Sequence, residues 1–224
     1  MTYDFRTMTR ADLRLVARWL KSPDVVRWWG DPAEQAALIA EDLDNAEMAQ
    51  WIVSHAGRPF AYAQTYDVHA WPQPHLAALP RGAQAIDAFI GEPALLGVGH
   101  GAGFLRALAE RLIMDGAPLI AIDPAVDNAR ARRAYRRAGF RGDTVVQTAE
   151  GPAVLMIFTR RPSRRAALND FGRRRSPCPH SAFALTARAL SSGTTVTANG
   201  VPASSDRKGS PLRRSLPPSR AFVW

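Results

Sequence analysis

Four glycines at alternate positions, Gly97, Gly99, Gly101 and Gly103, run directly into an apolar helical pattern from Phe104 to Met114. Glycine lets the backbone approach a ligand closely and adopt positive φ. The first N–H groups of a helix lack partners within it, and the helix dipole favours an anion beside them. The stretch Gly97, Val98, Gly99, His100, Gly101, Ala102 and Gly103 is therefore a candidate cradle for phosphate groups. The chemistry it suggests is the binding of a pyrophosphate-bearing cofactor. A tight turn with no ligand is the plainer reading of the same glycines.

Three kinds of pyrophosphate site compete. A P-loop closes in Gly-Lys-Ser or Gly-Lys-Thr. This turn closes in Gly101, Ala102 and Gly103, and lysine occurs only at Lys21 and Lys208, which excludes it. A Rossmann turn needs an acid about 20 residues further on. Asp123 stands there, but such a turn follows the first strand of a repeating strand–helix series. Here it comes after several strands and helices, with no such repeat beyond it. The third kind is a coenzyme A site of an acetyltransferase, to which other residues bear witness.

Charge divides the chain in two. Residues 1–159 hold 16 Arg and Lys against 18 Asp and Glu, whereas residues 160–224 hold 13 against 2. The net charge of +9 thus belongs to the end of the chain, not to the glycine turn. That end is rich in Ser, Pro, Arg, Ala and Gly and sustains no apolar period. Such a segment cannot bury enough surface to offset its ordering entropy. The expected organisation is one domain over 1–160 and a disordered basic tail over 161–224. The tail lacks interleaved aromatics, so no specific nucleic-acid partner is expected. The single cysteine, Cys178, lies in the tail, which excludes an internal disulfide and fits a reducing compartment. No signal peptide is read at the start, and no apolar run is long enough to span a bilayer. A soluble cytoplasmic protein, monomer or homodimer, is the expectation.

The elements that would position the glycine turn follow from periodicity and breakers. Residues 3–8 read as a strand. Thr9 and Asp12 look like a helix start. A helical face runs from Leu13 to Leu20 and is stopped at Pro23. Residues 25–30 are an aromatic segment, and Asp31 and Pro32 open a second helix expected to reach about Met48. Strands are expected at 49–54 and 60–66 around a hairpin turn at 55–59. Residues 69–82 form a loop, 83–91 a strand, and a helix follows the glycines to about Asp115. A buried strand at 118–122 precedes a helix that starts after Asn128 and stops at Gly139. Two antiparallel strands, 140–146 and 153–159, close the pattern.

Two signatures in order identify the third kind of site. Leu96-x-x-Gly99-x-Gly101 resembles the pyrophosphate motif of the GNAT N-acetyltransferases, with Leu where Arg or Gln is usual. Asn128, Ala131, Tyr135, Gly139 and Phe140 match that family's second signature, Asn-x-x-Ala-x-x-x-Tyr-x-x-x-Gly-Phe. Further segments are similar to the aminoglycoside 6'-N-acetyltransferases. These are Trp19-Leu20, Val25 to Gly30, Tyr62 to Tyr66, Ala85-Ile86-Asp87, Ile122-Asp123-Pro124 and Gly151 to Val154. The similarity spans roughly residues 5 to 160. It implies an α/β (α+β) acyltransferase fold: a mixed, mostly antiparallel sheet flanked by helices.

The resemblance implies acetyl-CoA as cosubstrate, coenzyme A as product, and a small primary amine as acceptor. Residues 97–103 would hold the pyrophosphate. Ala88, Phe89 and Ile90 would pair with the pantetheine arm, and a backbone N–H there would stabilise the oxyanion. Asp87, a carboxylate inside an apolar strand, is the candidate base, because partial burial raises a carboxylate pKa. Tyr135 is the candidate acid and cofactor contact; a satisfied core tyrosine is its plainer reading. Asn128 would bond the pantetheine, or simply cap its helix. Asp87, Asp123 and Glu150 would attract a cationic acceptor. One of Trp28 and Trp29 would be core and the other a wall of the acceptor site, with Tyr66 and Trp71 beside it.

The loop at 69–82 departs from the resembling enzymes. They carry a cluster of acids there, and this chain has no carboxylate between Asp67 and Asp87. The 6'-amine of an aminoglycoside is the leading acceptor. Another small amine, such as a siderophore precursor, is the enzymatic alternative, and a coenzyme A-binding regulator the non-enzymatic one. His55, His69, His75 and His100 lack metal-ligand spacing, so no metal is expected.

Overall fold

The fold is that of a computed structural model, in which residues 1–159 are described. The basic tail and Cys178 lie outside them. In chain order the strands are β1 (Asp4–Thr7), β2 (Met48–His55), β3 (Arg58–Asp67), β4 (Gln84–Ile90), β5 (Ile120–Ile122), β6 (Arg141–Thr148) and β7 (Gly151–Phe158). The helices are α1 (Leu13–Leu20), α2 (Pro23–Trp29), α3 (Pro32–Glu41), α4 (His100–Met114) and α5 (Ala129–Ala138). The strands make one sheet in the order β1-β2-β3-β4-β5-β7-β6. Every neighbouring pair is antiparallel except β4 and β5, which α4 connects.

Alternation along β3 and β4 builds two layers. Ala61, Ala63, Ile86, Ala88 and Ile90 face α4 and α5, where Phe104, Leu105, Leu108, Tyr135 and Ala138 cover them. Tyr62 and Phe89 face α1 to α3, beneath Trp19, Trp29 and Ile39. A third cluster, Met48, Tyr66, Leu76, Ala85 and Ala121, lies under the 69–82 loop.

Two helix boundaries differ from expectation. Pro23 follows the end of the first helix but also opens α2, because its fixed φ suits the first helical position. Residues 25–29 are therefore helical, with Gly30 capping the end, and Trp28 and Trp29 point about 100° apart. The second helix stops at Glu41 rather than near Met48. Asp42, Leu43 and Asp44 form a 3-10 turn, and the Asn45 side chain accepts from the Glu47 N–H at 3.0 Å. Asp and Asn favour such local bonds over helix, and Met48 is then drawn into β2 and buried.

The start of α1 is anchored by one carboxylate. Asp12 accepts from the Thr9 N–H at 2.9 Å and the Thr9 hydroxyl at 2.9 Å. It also takes both arms of the Arg6 guanidinium, at 2.7 and 2.6 Å. The Arg6 bonds hold the Asp12 carboxyl at about 2, below its ordinary 3.8. At the far end of α1, Trp19 donates to Glu92 at 2.7 Å and its indole lies against the bare Cα of Gly91.

Two outcomes follow from these anchors. A Cβ at Gly91 would overlap the Trp19 indole. Gly91→Ala should lower stability by about 2–3 kcal/mol in chemical denaturation. Asp12 has a depressed folded pKa, so its contribution is complete above about pH 4 and is lost as pH falls towards 2. Acid titration of stability should show this loss in the wild type, and Asp12→Asn should flatten that part of the curve.

Candidate active site

β4 and β5 run side by side for two pairs only, Gln84 with Ile120 and Ala85 with Ala121. Beyond them Pro124 follows Asp123 and turns the chain to β7: the Val154 N–H donates to the Pro124 carbonyl at 2.8 Å, and Ala125 bridges Ala153. The sides on which backbone groups bond alternate along a strand. The Gln84 N–H reaches Leu119 beside β5, at 3.2 Å, and the Gly91 N–H reaches Phe60 beside β3, at 2.8 Å. Asp87 and Phe89 therefore bond towards β3, opposite Gln64 and Tyr62. Ala88 and Ile90 turn their N–H groups towards β5, past the end of its ladder. Of the three residues 88–90, these two open into the gap between the strands. Such amides can pair with an extended ligand or stabilise an oxygen that gains negative charge.

Asp87 and Asp123 flank this gap. Each lies two residues beyond the last ladder pair, on the same face as Ala85 and Ala121. Asp87 is 2 % exposed. Its Oδ2 accepts from Gln64 Nε2 at 2.9 Å, and Gln64 Oε1 accepts from the Tyr62 hydroxyl at 2.9 Å. Because Tyr62 donates to the oxygen of Gln64, the amide nitrogen must face Asp87. This relay orients the carboxylate.

Asp123 has a different partner. Its Oδ2 lies 2.7 Å from His75 Nε2, both side chains being buried. His75 sits in a 3-10 turn, Pro74–Leu76, of the loop that lacks acids. Gln73 Nε2 donates to the Tyr66 hydroxyl at 3.0 Å, and the Trp71 ring lies 6.5 Å from that of Tyr66. The loop is thus fastened over the β3–β5 end of the cleft by polar side chains.

The glycine turn sits at the other entrance. Gly97 and Gly99 have φ of 78° and 98°, a region that only glycine occupies freely. Gly97, Gly99, Gly101 and Ala102 line a cavity of about 240 Å³ opposite Arg130, Arg133 and Arg137. The first bond within α4 runs from the Gly103 N–H to the Gly99 carbonyl, at 3.2 Å. The Gly103 N–H is thus engaged within the helix. The Gly103 Cα lies against the Tyr3 ring, where no Cβ would fit. His100 also turns its ring from the cavity, with Nδ1 3.2 Å from the Tyr3 hydroxyl and the ring 4.6 Å from that of His55. Burial, then the nearby charges of His55 and the amino terminus, hold its pKa below the usual histidine range. Val98 is exposed at the tip. Glycine-backed amides facing three guanidiniums fit a phosphate-bearing ligand.

The remaining candidates fall in several places. Asn128 caps α5, its Oδ1 accepting from the Ala131 N–H at 3.0 Å. Tyr135, about two helical turns further on, is fully buried on the α4–α5 side of the sheet. Trp29 is core, its ring 4.9 Å from Phe89, while Trp28 is half-exposed with Arg27 over its ring. Glu150 is exposed at the β6–β7 hairpin, and its described hydrogen bonds stay within that hairpin. Gln64, His75 and the α5 arginines were not singled out from the sequence. The arginine spacing was legible there; the other two depend on strand register and loop path. Among the described residues no group of three His, Cys, Asp or Glu could hold a metal.

The chain is similar to known proteins in sequence and fold. The family model described as an acetyltransferase (GNAT) domain matches residues 8–148. The chain is 33 % identical over 172 residues to an aminoglycoside N(6')-acetyltransferase type 1 of Klebsiella pneumoniae, covering 71 % of this chain and 84 % of that one. It is 40 % identical over 85 residues to a kanamycin resistance protein of Rhizobium radiobacter, covering 38 % of this chain and 79 % of that one. The crystal structure of AAC(6')-Ib with coenzyme A and kanamycin superposes with a TM-score of 0.61 at 32 % identity, over 78 % of this chain and all of that one. The parted strands, the glycine turn and these matches converge: the chain is an N-acetyltransferase and belongs to the GNAT acetyltransferase family.

Proposed function

We propose that the enzyme acetylates a primary amine from acetyl-CoA, and that the amine is the 6'-amine of an aminoglycoside. The carrying observation is the pair Asp87 and Asp123, set at matching register on the two lips of the β4–β5 gap. Acidic lips attract an ammonium group, and the relatives named for aminoglycosides supply the acceptor class.

Acetyl-CoA supplies an acyl group already activated as a thioester. Asp87, held by Gln64, takes a proton from the acceptor ammonium. The freed amine lone pair then attacks the thioester carbonyl. The N–H groups of Ala88 and Ile90 stabilise the negative charge that grows on the carbonyl oxygen. As the carbon–sulfur bond breaks, Tyr135 gives a proton to the sulfur, and the second proton that the nitrogen releases as the amide forms restores the Tyr135 hydroxyl through solvent. Asp87 and Tyr135 lie on opposite faces of the sheet, and the gap between the strands joins those faces. Asn128 orients the pantetheine while capping α5. Trp28, Tyr66 and Trp71 wall the acceptor side, and Trp29 supports Phe89 from beneath. Glu150 adds negative charge at the rim.

The loop favours a second reading. Its polar residues fasten it in place, and it brings no carboxylate of its own. Asp123 Oδ2 is already engaged by His75, which leaves less of that carboxylate open to an acceptor. An acceptor with fewer amines than an aminoglycoside, of the siderophore-precursor kind, would suit that cleft.

A thiol-release assay with kanamycin, tobramycin, lysine derivatives and polyamines separates the two. Turnover confined to the aminoglycosides supports the first reading, and turnover confined to monoamines supports the second. With the best acceptor, Asp87→Asn should lower kcat by about 10²–10⁴-fold. Its residual rate should climb with pH as the acceptor loses its proton unaided. Tyr135→Phe should lower kcat by roughly tenfold to a hundredfold with little change in KM.

A further inference from the structure

The cavity beside the glycine turn has two unlike walls. One is backbone: Gly97, Gly99, Gly101 and Ala102. The other is cationic: Arg130, Arg133 and Arg137, three and four residues apart and so on one face of α5. No Asp or Glu is among the described residues that line it.

The turn itself brings no cation. Residue 96 is Leu, and His100 has a lowered pKa and faces Tyr3. Arg130 lies nearest the turn, with Nη2 3.5 Å from the point a Cβ on Gly97 would occupy. Its carboxylate neighbour Asp24 is 3.6 Å away, and both side chains are about half exposed. A pair that long and that exposed holds Arg130 weakly. Its guanidinium can turn to a ligand at little cost.

Coenzyme A carries two kinds of charged group. Its pyrophosphate suits the turn's amides. Its 3'-phosphate is a monoester, close to dianionic at neutral pH. A forked guanidinium matches such a group well, and three line the wall opposite the turn. We propose that α5 is the phosphate wall of this enzyme. Arg130 supplies the pyrophosphate with the positive charge that residue 96 lacks, and Arg133 and Arg137 take the 3'-phosphate. This inference rests on acetyl-CoA being the cosubstrate. It adds that the enzyme selects the 3'-phosphorylated form through side chains outside its glycine motif.

The test is calorimetric binding of coenzyme A and of 3'-dephospho-coenzyme A to the whole chain. The proteins are the wild type, Arg130→Gln, Arg133→Gln and Arg137→Gln, each checked for an unchanged Tm. Arg133→Gln and Arg137→Gln should each weaken coenzyme A by about fivefold and leave the dephospho form within twofold. Arg130→Gln should weaken both ligands alike. Wild-type affinity for coenzyme A in Arg133→Gln and Arg137→Gln overturns the inference and leaves the cosubstrate standing. Equal weakening of both ligands in those two variants also overturns it, because it marks a diffuse basic face. A wild-type protein that binds neither ligand overturns the cosubstrate reading itself.

Discussion

The site depends on β4 and β5 parting after two ladder pairs. A parallel pair buried between helices would normally run its hydrogen bonds to the strand ends. Here Pro124 cannot donate, and the chain after Asp123 bonds to β7 instead. The separation leaves the Ala88 and Ile90 amides facing a gap in the middle of a sheet. It also sets two carboxylates at its lips.

Burial then dictates how those carboxylates are kept. A buried carboxylate without hydrogen bonds is costly. Asp87 is served by the neutral relay from Tyr62 through Gln64, and Asp123 by His75 from a loop 48 positions earlier. The cleft is thus asymmetric: an amide holds the carboxylate on β4, and an imidazole meets the one that follows β5.

Much of this was legible in the sequence, and the exceptions have physical reasons. The glycine turn and the Asn128 cap are local devices, written in consecutive residues. Pro23 carries opposite meanings for the helix before it and the helix after it, and periodicity reveals only the first. The Asp42–Asn45 break was hidden because helix periodicity continued across it. Gln64 meets Asp87 only through strand register, and His75 meets Asp123 only through the path of the loop. Gly103 and His100 belong to the glycine motif as a string. The first turn of the helix sets both against Tyr3, which the string of residues does not show.

The central claim is that the β4–β5 gap receives the cofactor arm, and amide hydrogen exchange followed by NMR tests it most directly. Adding coenzyme A should slow exchange at Ala88 and Ile90. Phe89, already bonded towards Tyr62 on β3, should change little. If coenzyme A binds and the Ala88 and Ile90 amides exchange as before, the gap is not where the cofactor lies, and the account fails.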